Sequence, residues 1–406
     1  MTAPSFASAY ASALPVVRLR PKANSRALRH GFPWVYNNEL VIDRRTKALA
    51  PGSIAVLEDA ERKPIATVAV NPLSKIICRV LDRDLDCAVD QAWLVAKLHK
   101  ALRVRDRYYQ QPYYRLVHAE ADGLPGLVID RFADSVVVQP NAAWIEGLLP
   151  QLTSAVQEVL GVETVLKNAS GRTRKLEGLD DVNAVLAGHS PDAPTAVPMN
   201  GATYFADLTG GQKTGLFFDQ RGNHAFTANL AQGARVLDVF SHVGGFALAC
   251  LAGGAVSALA VDGSEPALSL ARRGADTSGF DERFDARCGD AFDVLSDLGA
   301  EGAKFDIVIC DPPAFAPSKQ ALDAGLRAYE RVARLATKLV AQDGILVLCS
   351  CSHAADLAAF RAACVRGIGR SGRHATILHS GFAGPDHPQL PQLAESGYLK
   401  SLFFQL

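Results

Sequence analysis

Two short stretches of this sequence carry side chains that could do covalent chemistry. In ILVLCSCSHAAD, residues 345–356, Cys349 and Cys351 stand one residue apart at the end of an apolar run. Strand alternation carried through them points both thiols the same way. Such a pair can fill a core, ligate a metal or supply a nucleophile. In CDPPAFAPSK, residues 310–319, an acid precedes two prolines. Pro312 and Pro313 remove backbone donors and stiffen the turn, which holds the Asp311 carboxylate and nearby carbonyls towards a substrate. The spacing C-x-C-x-H would add His353 as a third ligand, but no second ligand pair has suitable spacing, so no metal is expected.

The elements that must position these groups follow a regular rhythm after residue 230. Strand-like runs RVLDVF, ALAVD, FDARCGD, FDIVICD and ILVLCS alternate with helical stretches from Gly245, through EPALSLARRGAD, through GLRAYERVARLATKLV and through ADLAAFRAACVRG. Alternation of this kind implies right-handed crossovers and a parallel, doubly wound Rossmann-like sheet, an α/β fold. Ligands then belong at the carboxyl ends of the strands. Asp238, Asp262, Asp290, Asp311 and Cys351 all fall at or just after such ends, whereas Cys310 and Cys349 lie within apolar strands and are expected in the core.

The stretch DVFSHVGGFALA, residues 238–249, joins a strand-end acid to a turn with paired glycines and a helix start. It lacks the first glycine of G-x-G-x-x-G, and Asp238 would repel a pyrophosphate. A carboxylate at that edge suits a cationic ligand instead. S-adenosylmethionine carries a sulfonium and an ammonium and no phosphate. Ser241 lies in the same turn, and Gly244 and Gly245 let the backbone come close to the ligand because no Cβ intervenes. Asp262, followed by Ser264, is spaced to accept hydrogen bonds from a ribose diol. Asp290, with Ala291, can face an adenine amino group. Each of these acids taken alone could equally be a helix cap.

At 406 residues the chain is long enough for two or three domains of about 150 residues each. A β-rich domain is expected over 15–92, a small α+β domain over 93–195 and the Rossmann-like domain over 196–406, with AGHSPDAPTAVPMNG, residues 187–201, as a linker. With 49% hydrophobic and 21% charged residues, the composition is that of an ordinary globular protein. No apolar run approaches the roughly 20 residues that span a bilayer. Lys plus Arg equals Asp plus Glu, so only local charge is informative. No acid precedes Glu39, while Arg18, Arg20, Lys22, Arg26 and Arg29 do; a second basic set comprises Lys97, Lys100, Arg103, Arg105, Arg107 and Arg115. These are candidate phosphate contacts or simply solvated faces. The first 31 residues, acid-free and rich in Ala and Ser, loosely fit a transit peptide, but the Arg-rich part runs straight into the first domain and a cytoplasmic protein is expected. Eight cysteines without a CxxC pair are expected to be reduced.

These motifs, together with HGFPWVYNNEL, NPLSKIICRVL, EADGLPGLVIDRF and GGQKTGLFFDQRGN, resemble those of the bacterial large-subunit (23S) ribosomal RNA cytosine-C5 methyltransferases across nearly the whole length. In that family a PUA-like RNA-binding domain and a small α+β domain precede a class I S-adenosylmethionine-dependent methyltransferase domain. The resemblance implies that QKTGLFFDQR covers the cofactor, bringing Lys213, Phe217, Asp219 and Arg221, with Arg221 available to the methionine carboxylate. It also implies that Ser350-Cys351-Ser352 is the S-C-S of relatives that attack cytosine, making Cys351 the nucleophile; neither it nor the spacing identifies the base that takes the carbon 5 proton, for which Asp311 is the nearest candidate in the sequence. Exocyclic-amine methyltransferases have D/N-P-P-Y/F, with an aromatic that stacks on the base. Here the fourth position is Ala314 and the aromatic, Phe315, follows it, a departure from that pattern.

Ribosomal RNA is the implied partner, with Pro312, Pro313 and Phe315 beside the base and Arg18, Arg20 and Lys22 on the phosphates. Phe32, Trp34 and Tyr36 are available for stacking. The target base must be single-stranded or flipped out. Two rival readings stand: an RNA guanine (N2 or N7) methyltransferase on the same framework, and a noncatalytic RNA-binding assembly factor. A homodimer is left open.

Overall fold

Short apolar runs separated by turns build the first half of the chain into two five-stranded sheets. The computed structural model describes residues 14–210 and 215–406. The described residues divide into two units: the first takes 14–192, 208–210 and Pro385–Ser396, and the second takes the remainder.

In the first unit, β1 (Val16–Arg18), β2 (Trp34–Tyr36), β3 (Ser53–Glu58), β4 (Pro64–Val70) and β5 (Ile76–Asp82) form a sheet in the order β1-β3-β4-β5-β2. Val17, Leu19, Val35, Leu57, Val68 and Ile77 fill its core. A second sheet, ordered β10-β9-β8-β7-β6, contains β6 (Tyr113–His118), β7 (Leu127–Phe132), β8 (Ser135–Pro140), β9 (Thr164–Lys167) and β10 (Ala184–Ala187). The helices Gln91–Tyr108 and Leu149–Leu160 bury Trp93, Leu98, Leu152 and Val156 with this sheet's apolar residues.

Buried ion pairs bind these parts together. Arg79 reaches Glu120 at 3.2 Å and Glu177 at 3.0 Å, and Trp34 donates its indole N–H to Glu120 at 2.9 Å. Part of the second basic set is absorbed in the same way. Arg105 pairs with Asp122 at 2.7 Å, Arg115 with Asp130 at 2.8 Å and Lys97 with Asp82 at 3.0 Å. Half of that set is therefore structural. Pro385–Ser396, which falls inside the range expected for the Rossmann-like domain, groups with this unit. Asp386 anchors it, accepting from the Arg115 backbone N–H at 3.1 Å, while its carbonyl accepts from Arg105 at 3.1 Å.

The second unit opens with a hairpin, β11 (Thr195–Met199) and β12 (Ala202–Ala206), where a linker was expected up to residue 201. Its turn, Asn200-Gly201, has φ of 51° and 78°, the two left-handed positions of a tight hairpin turn. Pro198 inside β11 hides the alternation that would have marked the strand. There follow β13 (Arg235–Val239), β14 (Ser257–Asp262), β15 (Phe284–Cys288), β16 (Phe305–Cys310), β17 (Val340–Ser350), β18 (Thr376–Gly381) and β19 (Lys400–Gln405).

These seven form one sheet in the order β15-β14-β13-β16-β17-β19-β18. β13 to β17 are parallel, and β19 runs antiparallel to both β17 and β18. The helices Gly245–Ala252, Glu265–Thr277, Ala291–Ala300, Leu322–Thr337 and Leu357–Gly369 supply the crossovers. The chain turns back at β13, with β14 on one side and β16 on the other, so the switch point lies between the ends of β13 and β16. Among the described residues no helix is long and apolar enough to cross a membrane.

Candidate active site

The turn after β13 is held in an unusual backbone conformation. Phe240, His242 and Gly244 have φ of 64°, 52° and 79°, so two non-glycine residues sit in the left-handed region. The neighbouring strand end pins the turn: Ser241 N donates to Val261 O at 3.0 Å and His242 N to the Asp262 carboxylate at 2.9 Å. A Cβ on Gly245 would stand 2.8 Å from the buried His224 ring, so the helix start can lie this close only without a side chain.

Beneath this turn Asp238 is wholly buried. One of its oxygens accepts from Ala247 N at 2.9 Å. The other, Oδ1, and the Ser241 hydroxyl are buried without a hydrogen-bond partner among the described residues. Burial pushes the Asp238 carboxyl up to about 7, with the Asp262 charge adding to the rise and the Ala247 N–H opposing it. Two unsatisfied polar atoms, one of them an acid, below a close-approach glycine turn fit a ligand that brings an N–H donor with positive charge. The ammonium of S-adenosylmethionine meets that description.

Below about 7 Asp238 is protonated in the unliganded protein, and a cation binds its ionised form, so affinity should rise as pH increases through 7 and level off above. We expect S-adenosylhomocysteine, which keeps the ammonium, to bind several-fold more tightly at pH 8 than at pH 6 in calorimetry. Asp238→Asn should remove that step and weaken binding at pH 8 about tenfold, the equivalent of one pKa unit of charge-specific interaction. An affinity independent of pH in the wild-type protein would contradict the assignment.

The other acids divide between binding and capping geometry. Asp262 accepts from Ser264 N at 2.8 Å as well as from His242 N, which orients its carboxylate at the end of β14. The cap of the following helix is Ser264, not Asp262: its hydroxyl accepts from Ala267 N. Asp290 caps the helix Ala291–Ala300 with Oδ1, which accepts from Phe292 N and Asp293 N, and is exposed; Ala291 behind it is buried.

Lys213 lies outside the described residues. The ring of Phe217 packs edge-on against His242, centroids 5.0 Å apart. Asp219 is buried and accepts from Tyr398 Oη at 2.6 Å. Arg221 opens the helix Arg221–Ala228, with its guanidinium 5.2 Å from the Phe218 ring centre.

The thiol side of the site is built on adjacent strands. β16 pairs with β17 in parallel, Cys310 opposite Leu348, so the D-P-P turn and the S-C-S turn leave the sheet side by side. The strand ends at Ser350, and alternation does not extend to Cys351. Cys349 is buried against the Ser401 hydroxyl, and burial, with the Asp311 charge adding to it, holds its thiol far above the usual range. Cys310 is buried too. Cys351 is half-buried, its Sγ 4.0 Å from the Pro312 carbonyl oxygen. Of these three thiols, the one that solvent can reach is thus the one beside the D-P-P turn.

A buried hydroxyl network fixes this turn. Tyr329, on the helix Leu322–Thr337, accepts from Ser350 Oγ at 2.9 Å and shares a hydrogen bond with Ser352 Oγ at 2.7 Å. Ser352 Oγ also accepts from Ala316 N at 3.0 Å, which ties the S-C-S turn to the D-P-P loop. From the far side Lys400 donates its ammonium to the carbonyls of Ser352 and Ala355, each at 2.7 Å.

Sequence reasoning missed Tyr329, Tyr398 and Lys400. A lysine at the head of the apolar run SLFF was a signal, since a fully buried lysine is rare. Asp311 is half-buried, its N–H donating to Val239 O at 3.1 Å. Pro312 is buried and Pro313 exposed. Phe315, expected beside the base, packs among Phe240, Phe292 and Tyr329 with centroid separations of 6.2, 6.1 and 5.0 Å.

The N-terminal basic residues belong to the first unit. Arg18 is paired with Glu58 at 3.0 Å, Arg20 donates to Leu40 O at 2.8 Å, and Lys22 is exposed with φ of 75°. Arg29 is paired with Asp59 at 2.7 Å. Trp34 packs edge-on between Phe32 and Tyr36, centroids 6.4 Å from each.

The profile of the S-adenosylmethionine-dependent methyltransferase domain matches residues 172–405, and that of a PUA-like domain matches 17–83. Proteins named ribosomal RNA large subunit methyltransferase I are similar over 93% of this chain and 96% of their own: one from Cronobacter sakazakii is 30% identical and one from Yersinia pseudotuberculosis 31%. A structure from Streptococcus mutans described as a SAM-dependent methyltransferase superposes with a TM-score of 0.81 at 18% identity, covering 97% of this chain and all of that one. A structure described as a methyltransferase complexed with SAH gives 0.82 at 19% identity, over 97% of this chain and 99% of that one. Both share the fold.

Proposed function

The chain belongs to the S-adenosylmethionine-dependent methyltransferase family, and on that premise we propose that it methylates carbon 5 of a cytosine in large-subunit ribosomal RNA through a transient bond to Cys351. Its cofactor is S-adenosylmethionine. The observation that carries the proposal is the half-buried Cys351 thiol held against the D-P-P turn at the carboxyl ends of two adjacent parallel strands. The name of the relatives supports ribosomal RNA as the substrate, and the PUA-like domain supports RNA binding. The site of action proposed is the cytoplasm.

Carbon 5 of cytosine is a poor nucleophile. The Cys351 thiolate adds to carbon 6, the ring's C5–C6 π electrons are displaced, and carbon 5 gains the character of an enamine carbon. When bound, S-adenosylmethionine would supply the methyl group as an electrophile, so that carbon 5 bonds to the methyl carbon as the methyl–sulfur bond breaks and S-adenosylhomocysteine leaves. Asp311 then takes the carbon 5 proton, the C5–C6 double bond re-forms and the sulfur–carbon 6 bond breaks, returning the thiolate. Asp238, Ser241 and Asp262 would hold the cofactor, and the glycine pair would let it lie against the backbone. The Ser350–Tyr329–Ser352 network holds the thiol in place throughout, so little ordering is left to be done during reaction.

The guanine reading differs in a measurable way. Methylation of carbon 5 expels one hydrogen per methyl group, so ribosomal RNA labelled with tritium at cytosine carbon 5 should release one tritium to water for each methyl transferred. Methyl transfer without tritium release would overturn the cytosine proposal and favour guanine.

A further inference from the structure

We propose that Lys400 is a positioning residue whose ammonium stabilises the Cys351 thiolate before it attacks the base. The inference rests on the reading of Cys351 as nucleophile. Lys400 opens β19 and stands opposite Ser350 in the antiparallel register, directly across from the residue that precedes Cys351. It is 4% exposed. The two carbonyls it binds belong to residues one and four positions past Cys351, so the S-C-S loop curls around the ammonium. Among the described residues no carboxylate pairs with it.

A buried ammonium needs an anion. Two carbonyls could be satisfied by a neutral amide without the cost of burying a charge, so a purely structural strut does not call for lysine. Burial holds the Lys400 pKa below its ordinary value, and the charges of Cys351 and Asp356 oppose that shift by favouring the protonated form. A cation beside a partly exposed cysteine is the setting that favours a thiolate.

Other groups face this pair from each neighbouring element. Asp311 lies on the D-P-P turn and Tyr329 on the helix Leu322–Thr337. His353, its ring 5.6 Å from that of Tyr398, lies on the S-C-S loop with Asp356. Asp219 is bound by Tyr398. Of the acids, Asp356 is the one whose charge, like that of Cys351, acts on Lys400.

The test is the pH dependence of iodoacetamide labelling at Cys351, followed by peptide mass spectrometry on the full-length protein. In the wild type the midpoint should lie below about 8.5, the value of an ordinary thiol. Lys400→Gln keeps a donor for the carbonyls but removes the charge. It should raise the midpoint by about one pH unit and slow labelling at pH 7 about tenfold. Lys400→Arg should stay near wild type. A wild-type midpoint at or above 8.5, or an unchanged midpoint in Lys400→Gln, would overturn the inference, and the first needs no variant. Tritium release is read separately, so loss of this inference leaves the cytosine reading standing, and failure of the cytosine reading is seen whatever the labelling gives.

Discussion

Cys351→Ala should reduce methyl transfer to large-subunit ribosomal RNA by at least about 10³-fold, the scale seen when a covalent nucleophile is removed. Binding of S-adenosylhomocysteine should be unchanged, because the residues proposed to hold the cofactor lie on the turns after β13 and β14. The side chain is half-buried and not part of an apolar cluster, so the truncation opens no core cavity and the fold should survive. The same substitution at Cys349 gives a contrasting expectation. That thiol is buried and bonded to Ser401, so Cys349→Ala should leave turnover within a few-fold of wild type while lowering stability by about 1 kcal/mol. Single-turnover assays with radiolabelled donor, with calorimetric cofactor binding measured beside them, check both.

The second large effect falls on Asp311. If its carboxylate removes the carbon 5 proton, Asp311→Asn should slow product formation by about 10²–10⁴-fold, the contribution of a positioned general base. The reaction should stall at a particular place. Addition and methylation can proceed, elimination cannot, and an adduct between the protein and its methylated RNA should accumulate that survives denaturing electrophoresis. Slow turnover without that adduct would mean that Asp311 acts before or during addition and that another group takes the proton.

Much of this site was legible in the sequence because its sheet is parallel. Strands buried on both faces read as continuous apolar runs, and RVLDV, FDIVIC and ILVLC announce β13, β16 and β17 without periodicity analysis. Their ends carry Asp238, Asp311 and Cys351 for the same reason: polar residues collect where the strands leave the core. The hairpin β18–β19 was not legible. Thr376–Gly381 is a half-exposed edge strand, and its partner, Lys400–Gln405, is reached only after a long stretch rich in proline and glycine.

The register of β19 brings Lys400 under the S-C-S turn, and no local spacing encodes a pairing between residues 350 and 400. Tyr329 was hidden differently. It sits on a strongly amphipathic helix and reads as one more core aromatic, while its hydroxyl is what binds Ser350 and Ser352. Arg105 and Arg115 show the opposite error. They read as a basic face, yet each is consumed by a distant acid, Asp122 at 17 residues from Arg105 and Asp130 at 15 from Arg115. Charge counting cannot distinguish a solvated arginine from a buried pair.

Every catalytic assignment proposed for this site depends on a sulfur–carbon bond forming between Cys351 and a cytosine ring. RNA containing 5-fluorocytidine tests it most directly, because the fluorine cannot leave as a proton does and the methylated adduct persists. After incubation with S-adenosylmethionine and nuclease digestion, peptide mass spectrometry should find the methylated fluorocytidine nucleotide on the peptide bearing Cys351 and on no other cysteine. An enzyme that methylates the unmodified RNA yet leaves Cys351 unlabelled with the fluorinated substrate would contradict the account.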